Sequence, residues 1–296
     1  MLRVGSTPDP KHLIINADDF GISRGVNSGI IEAAEAGVVT SASMIVNLPA
    51  FADALDRAVS CPTLSLGLHL NLTRGRPLSA AQSLTRASTG EFYSLAVLIA
   101  RASLGLLDAS DITGECAAQI ARMTDAGFPP THLDSHRHVH AHPAIRSAVV
   151  RAAALRGISR VRLPCEPIQT NVRDWRATIK KAGLLICTRL SARTADRYRT
   201  EHFFGISLQG GKEFAARLFR LIPRLPPGTT ELMVHPGYTD ASLAAQDSYT
   251  QERETELEVL CSREFRELLA RCGVMLTGFR DGTSSVPHQS QLTQHH

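Results

Sequence analysis

The sequence predicts an α/β fold in which parallel strands are joined by crossover helices. The first observation is a rhythm, because short apolar runs rich in β-formers alternate with helix-like stretches about seven times along the chain. The second is that glycines end several helix-like stretches, namely Gly37, Gly127 and Gly157. Strands separated by helices favour parallel pairing. This rhythm fits both a closed barrel and an open sheet.

The individual elements follow from local patterns. Strands are predicted where apolar and β-branched residues run together, and helices where apolar residues recur every three to four positions. Pro143 suits the first turn of a helix. The predicted strands are Leu13–Asn16, Ser43–Val46, Leu64–Leu70, Thr131–Ser135, Val161–Leu163, Leu232–His235 and Val274–Leu276. The predicted helices are Val26–Ala36, Ala50–Val59, Ile112–Ala126, Pro143–Leu155, Phe214–Leu221 and Gln251–Leu269.

One apolar stretch, Leu95–Leu107, interrupts the rhythm as an insert. Its simplest interpretation is an ordinary core helix. A lid, a dimer contact or a lipid-facing patch would have the same composition. A homodimer therefore stays open at the level of sequence.

Length and composition predict one large domain. The chain has 296 residues, of which 43% are apolar and 20% charged, which suits a single sizeable core over residues 1–281. Residues 282–296 are polar, and we expect this tail to be disordered.

Charge and cysteine usage exclude several classes of protein. The net charge of +4 comes without a basic run, and aromatic residues make up only 5%, so we expect no nucleic-acid partner. No apolar run approaches the roughly 18 residues of a membrane-spanning helix, and no signal peptide is recognisable. The six cysteines form no Cys-x-x-Cys pair, which argues against a zinc module and a disulfide framework. We therefore expect the protein in the cytoplasm.

Two adjacent carboxylates, Asp18 and Asp19, follow the first predicted strand. Neighbouring carboxylates at the end of a buried strand repel each other unless something compensates their charge. A cation would neutralise one and leave the other to act as a base. The alternative is that Asp19 caps a turn and Asp18 is solvated.

Histidines lie at the ends of other predicted strands. The chain has 12 histidines, and five of them fall within the thirteen residues from position 131 to position 143. His69 lies inside an apolar run, His136 follows a strand, and His235 ends another. A lone histidine in such a place is commonly a hydrogen-bonded core residue. Because the carboxyl ends of parallel strands meet at one edge, however, we expect these side chains and the two carboxylates to gather there.

The motifs resemble those of the YdjC-like carbohydrate deacetylases, the ChbG/HpnK family. The matching segments extend over roughly residues 12 to 280 and are residues 16–21, 29–33, 39–41, 67–69, 131–140 and 234–238. This resemblance implies an irregular (β/α) barrel of TIM-like form with about seven parallel strands. It also implies one divalent metal ion and hydrolysis of the N-acetyl group of an amino sugar.

Carried over to this chain, the resemblance implies that Asp19, His69 and His136 bind the metal and that Asp18 is the base. One carboxylate and two imidazoles leave coordination positions open, as a catalytic site requires. A base beside the metal would take a proton from water. The departing amine needs a proton, for which His235 is the best placed by sequence.

Further polar residues receive supporting roles. Asp134 could orient a metal-bound imidazole, and Arg162 could pair with Asp18 and keep it ionised. His138 and His140 are substitutes for the acid. The side chains that could bind sugar hydroxyls are Asn16, Asn47 and Asn71.

The metal and the substrate remain open. Mg or Zn is the most expected ion, with Mn, Co or Fe as alternatives. The N-acetylated acceptor could be a chitin-derived oligosaccharide or a glycolipid such as a hopanoid-linked N-acetylglucosamine. Two other classes fit the same residues: a non-haem iron redox enzyme, which also uses two histidines and one carboxylate, and a non-catalytic sugar-binding protein that retains the metal pocket.

Overall fold

The computed structural model describes residues 10–167, 200–210 and 213–280. Its strands are β1 (Lys11–Phe20), β2 (Ser41–Met44), β3 (Ser65–Leu70), β4 (Leu133–Ser135), β5 (His202–Phe204), β6 (Gly228–Val234) and β7 (Val274–Leu276). Its α-helices are α1 (Arg24–Glu35), α2 (Phe51–Ala58), α3 (Leu95–Ser103), α4 (Ala109–Asp125), α5 (Pro143–Leu155), α6 (Phe214–Leu221), α7 (Ala241–Gln246), α8 (Gln251–Cys261) and α9 (Arg263–Arg271).

The strands form one sheet in the order β4-β3-β2-β1-β6-β5, and every pairing is parallel. β1 is the central strand and pairs with β6 along one edge. Its other edge is shared, because β7 pairs with the first residues of β1 and β2 pairs with the last ones. The sheet curves into a half-barrel flanked by helices, and this arrangement confirms the TIM-like α/β fold.

The central strand is buried on both faces. Ten residues long, β1 is buried continuously from Leu13 to Phe20, as expected of a parallel strand covered by helices. Ile15 and Ala17 are completely inaccessible to solvent. The carboxyl end of β1 therefore delivers its polar residues into the interior of the protein rather than to its surface.

Two of the predicted elements are wrong. Residues 161–163 do not form a strand of the sheet, because only Val161 makes a single bridge to Leu133. The seventh strand is β5 instead, which is three residues long and begins with a histidine, too short and too polar at its start for a periodic signal. The helix predicted over residues 251–269 is two helices, since the Ser262 side chain accepts a hydrogen bond from Phe265 N at 3.2 Å and begins α9.

The apolar insert contains α3, which packs only partly. Leu98 is completely buried, whereas Val97 is 43% exposed and Leu104, just beyond the helix, 72% exposed. One face of α3 thus belongs to the core, while apolar side chains on its other side are exposed. Within the described residues, no helix is both long and apolar enough to cross a bilayer.

The division into a domain of residues 1–281 and a polar tail stays a prediction. The tail, residues 282–296, lies outside the described residues.

Candidate metal centre

A break in strand pairing brings both adjacent carboxylates into one site. Successive residues of a regular strand point to opposite faces. Between Ala17 and Phe20, however, β1 contains one residue more than β2 does opposite it, and Asp19 has a φ of 69°. Such a bulge re-aims a side chain. Asp18 and Asp19 are only 1% and 2% exposed, so the interpretation of Asp18 as a solvated residue is wrong.

Asp19, His69 and His136 converge as expected. One oxygen of Asp19, Oδ1, lies 2.7 Å from His136 Nδ1 and 3.2 Å from His69 Nε2. All three donor atoms lie within 4.8 Å of one another, and all three residues are buried. One carboxylate oxygen and two imidazole nitrogens suit a divalent cation with open coordination positions. The residues present therefore fit the metal that the motifs imply.

Asp134 fixes the orientation of the His69 ring. His69 Nδ1 donates a hydrogen bond to Asp134 Oδ1 at 2.6 Å, which leaves Nε2 facing Asp19. Burial would lower the pKa of His69, but the charges of Asp134 and Asp18 outweigh it and raise that pKa to about 10. An imidazole held by a carboxylate on its far nitrogen is the usual arrangement around a metal.

Arg162 holds Asp18 and links it to its neighbours. Its two terminal nitrogens donate to the two oxygens of Asp18 at 2.6 and 2.7 Å, and Nη2 also lies 2.7 Å from Asp134 Oδ2. Its Nε donates to Glu231 Oε1 at 2.6 Å. Three carboxylates surround this guanidinium and raise the pKa of Arg162 well above its usual value despite burial. Arg162 is therefore a permanent cation between Asp18 and the residue that orients His69.

Asn16 supports Asp18 from inside the protein. Its amide nitrogen donates to Asp18 Oδ1 at 2.8 Å and to Ser43 Oγ at 2.9 Å, and the residue has no solvent exposure. Ser43 Oγ in turn donates to Asp134 Oδ2 at 2.7 Å. The amide nitrogen of Asn16 thus orients Asp18, and a contact of this residue with a sugar hydroxyl stays a prediction.

Two arginines complete the surroundings of the cluster. Arg253 Nη2 donates to the second oxygen of Asp19, Oδ2, at 2.6 Å, and Arg74 Nε donates to His136 Nε2 at 3.1 Å. Burial alone would raise the pKa of Asp19, but His136 and Arg253 outweigh it and lower that pKa well below its usual range. Asp19 is ionised at any pH near neutrality, as a metal ligand must be.

His235 lies at the same edge of the sheet. The parallel register pairs Ala17 with Val234, so His235 follows beside Asp18. Its ring is near Gln209 Nε2, at 3.1 and 3.2 Å from the two ring nitrogens, and the residue is 8% exposed. Its backbone N–H donates to Glu256 Oε2 at 2.6 Å, which anchors the loop after β6.

The two alternative acids are less suitable. His140 has no exposure, and both its ring nitrogens are engaged, one with Ser135 Oγ at 2.5 Å and one donating to Arg162 O at 2.9 Å. Burial lowers the pKa of His138 to about 3, so its ring is neutral near pH 7. Proton donation by His235 stays a prediction.

The other two asparagines shape a loop. Asn71 Oδ1 accepts hydrogen bonds from Thr73 N and Arg74 N at 3.1 Å each, and its amide nitrogen donates to Asn47 Oδ1 at 2.9 Å. Asn47 donates to Arg74 O and Arg76 O at 3.2 and 3.0 Å. Both side chains hold the segment that carries Arg74 over His136, and a contact with sugar hydroxyls stays a prediction.

Sequence reasoning missed four residues of the site: Arg74, Arg253, Ser43 and Glu231. Glu231 carried a usable signal, since it is a carboxylate directly before the apolar residues Leu232–Val234 of a predicted strand. Arg253 had none, because it lies in a polar stretch with three glutamates nearby, where an arginine is unremarkable.

The chain is similar to known carbohydrate deacetylases over most of its length. The family described as YdjC-like protein matches residues 12–271. A carbohydrate deacetylase of Geobacillus stearothermophilus is 38% identical over 273 residues, which are 92% of this chain and 98% of that protein. One of Brevibacillus brevis is 35% identical over 271 residues, 91% and 98% of the respective chains.

A solved structure shows the same fold. It is that of a candidate cellobiose-phosphate cleavage protein from Enterococcus faecalis V583, with a TM-score of 0.74 and 25% identity. The alignment covers 92% of this chain and 98% of that one.

Proposed function

This chain belongs to the family of YdjC-like proteins, and on that premise we propose that it is a carbohydrate deacetylase that uses a divalent metal ion to hydrolyse the N-acetyl group of an amino sugar. The observation that carries the proposal is a division of labour between adjacent carboxylates. One oxygen of Asp19 faces two imidazoles, whereas both oxygens of Asp18 accept hydrogen bonds from Arg162. The site thus offers three ligands and one separate base.

In this proposal the metal would polarise the acetyl carbonyl and acidify a water molecule. Asp18 accepts the proton of that water, and the fork of Arg162 keeps its carboxylate in one orientation. His235 donates a proton to the departing amine nitrogen. Asp134 keeps the His69 ring turned towards Asp19.

The donor set favours zinc over magnesium. Imidazole nitrogens suit Zn and related transition metals, while Mg prefers oxygen ligands and retained water. Mn, Co and Fe also bind imidazole. Acetate release by the protein loaded with each metal in turn would rank these ions against zinc.

The acceptor is an N-acetylated oligosaccharide or glycolipid, and the location is the cytoplasm. The relatives named above are carbohydrate deacetylases, and their likeness to this chain supports the carbohydrate part. The five cysteines in the described part of the chain all have free thiols, which supports a reducing compartment.

The test is acetate release from a panel of substrates, with and without a chelator. The panel contains a chitin-derived oligosaccharide and an N-acetylglucosaminyl lipid. We expect release from at least one of them, loss of release on chelation, and recovery with zinc. Binding without release would show a sugar-binding protein, and oxygen uptake by the iron-loaded protein would show a redox enzyme.

Asp18→Asn tests whether Asp18 acts as the base without binding the metal. The change leaves Asp19, His69 and His136 in place, so we expect turnover to fall at least 100-fold while bound metal per chain stays at the wild-type level. An active variant would remove Asp18 from the mechanism.

A further inference from the structure

The two oxygens of Asp19 face different partners. Oδ1 faces the two ligand histidines, at 2.7 Å from His136 and 3.2 Å from His69. Oδ2 accepts a hydrogen bond from Arg253 Nη2 at 2.6 Å. The carboxylate is therefore divided between a side that faces the metal position and a side that faces a guanidinium.

Arg253 is itself held in place. It is 1% exposed, its Nε donates to Tyr249 O at 2.9 Å, and its guanidinium lies 5.6 Å from the centre of the Tyr249 ring. Asp247 Oδ2 lies 3.7 Å from Nη2. Arg253 lies in the first turn of α8, and its side chain contacts Tyr249 and Asp247. It therefore cannot turn away from Asp19 without leaving a buried charge unpaired.

Carboxylates bind metal ions through one oxygen or through both. A carboxylate with both oxygens on the ion would occupy a position that a catalytic centre needs for water or substrate. A guanidinium on the second oxygen prevents this by competing for it. Its positive charge also repels the ion.

We propose that Arg253 is a positioning residue that restricts Asp19 to binding the metal through Oδ1 alone, and so keeps a coordination position open at the expense of metal affinity. This inference rests on the proposed function, because it concerns the same site. The proposed role of Arg253 is opposite to that of Asp134. Asp134 makes His69 a stronger ligand and so raises metal affinity, whereas Arg253 lowers it.

The direction of the effect on metal affinity distinguishes this role from a purely structural one. Removing a residue that merely orients a ligand weakens metal binding about 10- to 100-fold. Removing Arg253 frees the second oxygen of Asp19 and takes away a nearby positive charge. We therefore expect metal binding to become tighter while turnover falls.

The experiment uses the cobalt-loaded full chain, because Co(II) reports its coordination number in its visible absorption. Arg253→Met removes the guanidinium at similar length. We expect its dissociation constant for Co(II) to fall about 10-fold, with an absorption spectrum that indicates one more ligand. Arg253→Lys keeps the charge and is expected to retain the wild-type spectrum. Arg57→Met removes a positive charge paired with Asp53 and controls for net charge.

Weaker Co(II) binding by Arg253→Met, or unchanged affinity with an unchanged spectrum, overturns the proposal. The wild-type chain gives a second test that needs no variant to fold. A crystal structure of it with cobalt must show Asp19 bound through one oxygen, and two bound oxygens overturn the proposal. Because these readouts need no substrate, a chain that shows them but releases no acetate would refute the deacetylase function and leave the role of Arg253 standing.

Discussion

Arg162 binds Asp18 with both terminal nitrogens of its guanidinium, at 2.6 and 2.7 Å, and both residues are almost completely buried. The same guanidinium contacts Asp134 and Glu231. A buried cation shared by three carboxylates cannot be removed without leaving uncompensated charge. The folded state therefore depends on Arg162 for its stability, because this residue compensates the buried negative charges of the site.

Arg162→Met should reduce the free energy of unfolding by about 3–5 kcal/mol, because three buried carboxylates lose their cation. Urea unfolding measures this difference. The control change Arg57→Met breaks a half-buried pair with Asp53 on the helix α2 and should change stability by less than about 1 kcal/mol. Equal effects of the two variants would show that the buried cluster finds compensation elsewhere.

Asp134→Asn should weaken metal binding without removing a ligand. Asparagine can still accept the hydrogen bond from His69 Nδ1, but it lacks the charge that makes the imidazole a stronger donor. We expect a loss of about 10- to 100-fold in metal affinity, measured by competition with a chromophoric chelator. Asp125→Asn, at the exposed end of α4, is the control. Unchanged affinity in Asp134→Asn would reduce Asp134 to a packing role.

The edge at which the site lies could be predicted from sequence. Parallel strands place their carboxyl ends together, so polar residues after separate apolar runs indicate convergence even without contacts. His69 and His136 were placed this way and lie within reach of Asp19. The family motifs then singled them out among the 12 histidines.

Arg253 and Arg74, unlike Arg162, could not be predicted from the sequence, for a physical reason. Arg253 reaches Asp19 across 234 positions of sequence, and Arg74 reaches His136 across 62. Such contacts depend on the angles at which a helix and a loop approach the sheet, which leave no periodic signal. Strand β5 was missed for a similar reason, since its three residues are strand only because β6 lies beside them.

Acid should destabilise the protein through His132. This ring is 1% exposed, stacks on Phe279 with centres 3.9 Å apart, and lies 3.0 Å from Ser43 Oγ. Burial lowers its pKa to about 3, against about 6.5 in the unfolded chain. The stability that depends on neutral His132 is fully present above pH 6.5 and is lost as the pH falls towards 3.

At pH 5 this loss should be roughly 2 kcal/mol relative to pH 7, since each pH unit below 6.5 contributes about 1.4 kcal/mol. Urea unfolding at pH 7, 6 and 5 measures the slope in the wild type and in His132→Gln, which does not titrate. The variant should start less stable and show a shallower decline. Parallel declines in the two proteins would mean that His132 becomes protonated without strain in the folded state.

Gly67 makes room for that same histidine. A Cβ at position 67 would lie 2.3 Å from His132 Cε1, which is too close for two non-bonded carbon atoms. The backbone of β3 is fixed there by its pairing with β2. Gly67→Ala must therefore displace the His132 ring from Ser43, which touches Asp134. We expect a loss of about 1–3 kcal/mol in unfolding free energy and weaker metal binding.

Gly114→Ala is the matched control, because a Cβ there meets nothing within 4 Å and the residue lies inside α4. That change should stabilise the protein by about 0.5–1 kcal/mol through helix propensity. If Gly67→Ala behaved like Gly114→Ala in urea unfolding, the close packing of His132 against β3 would be wrong.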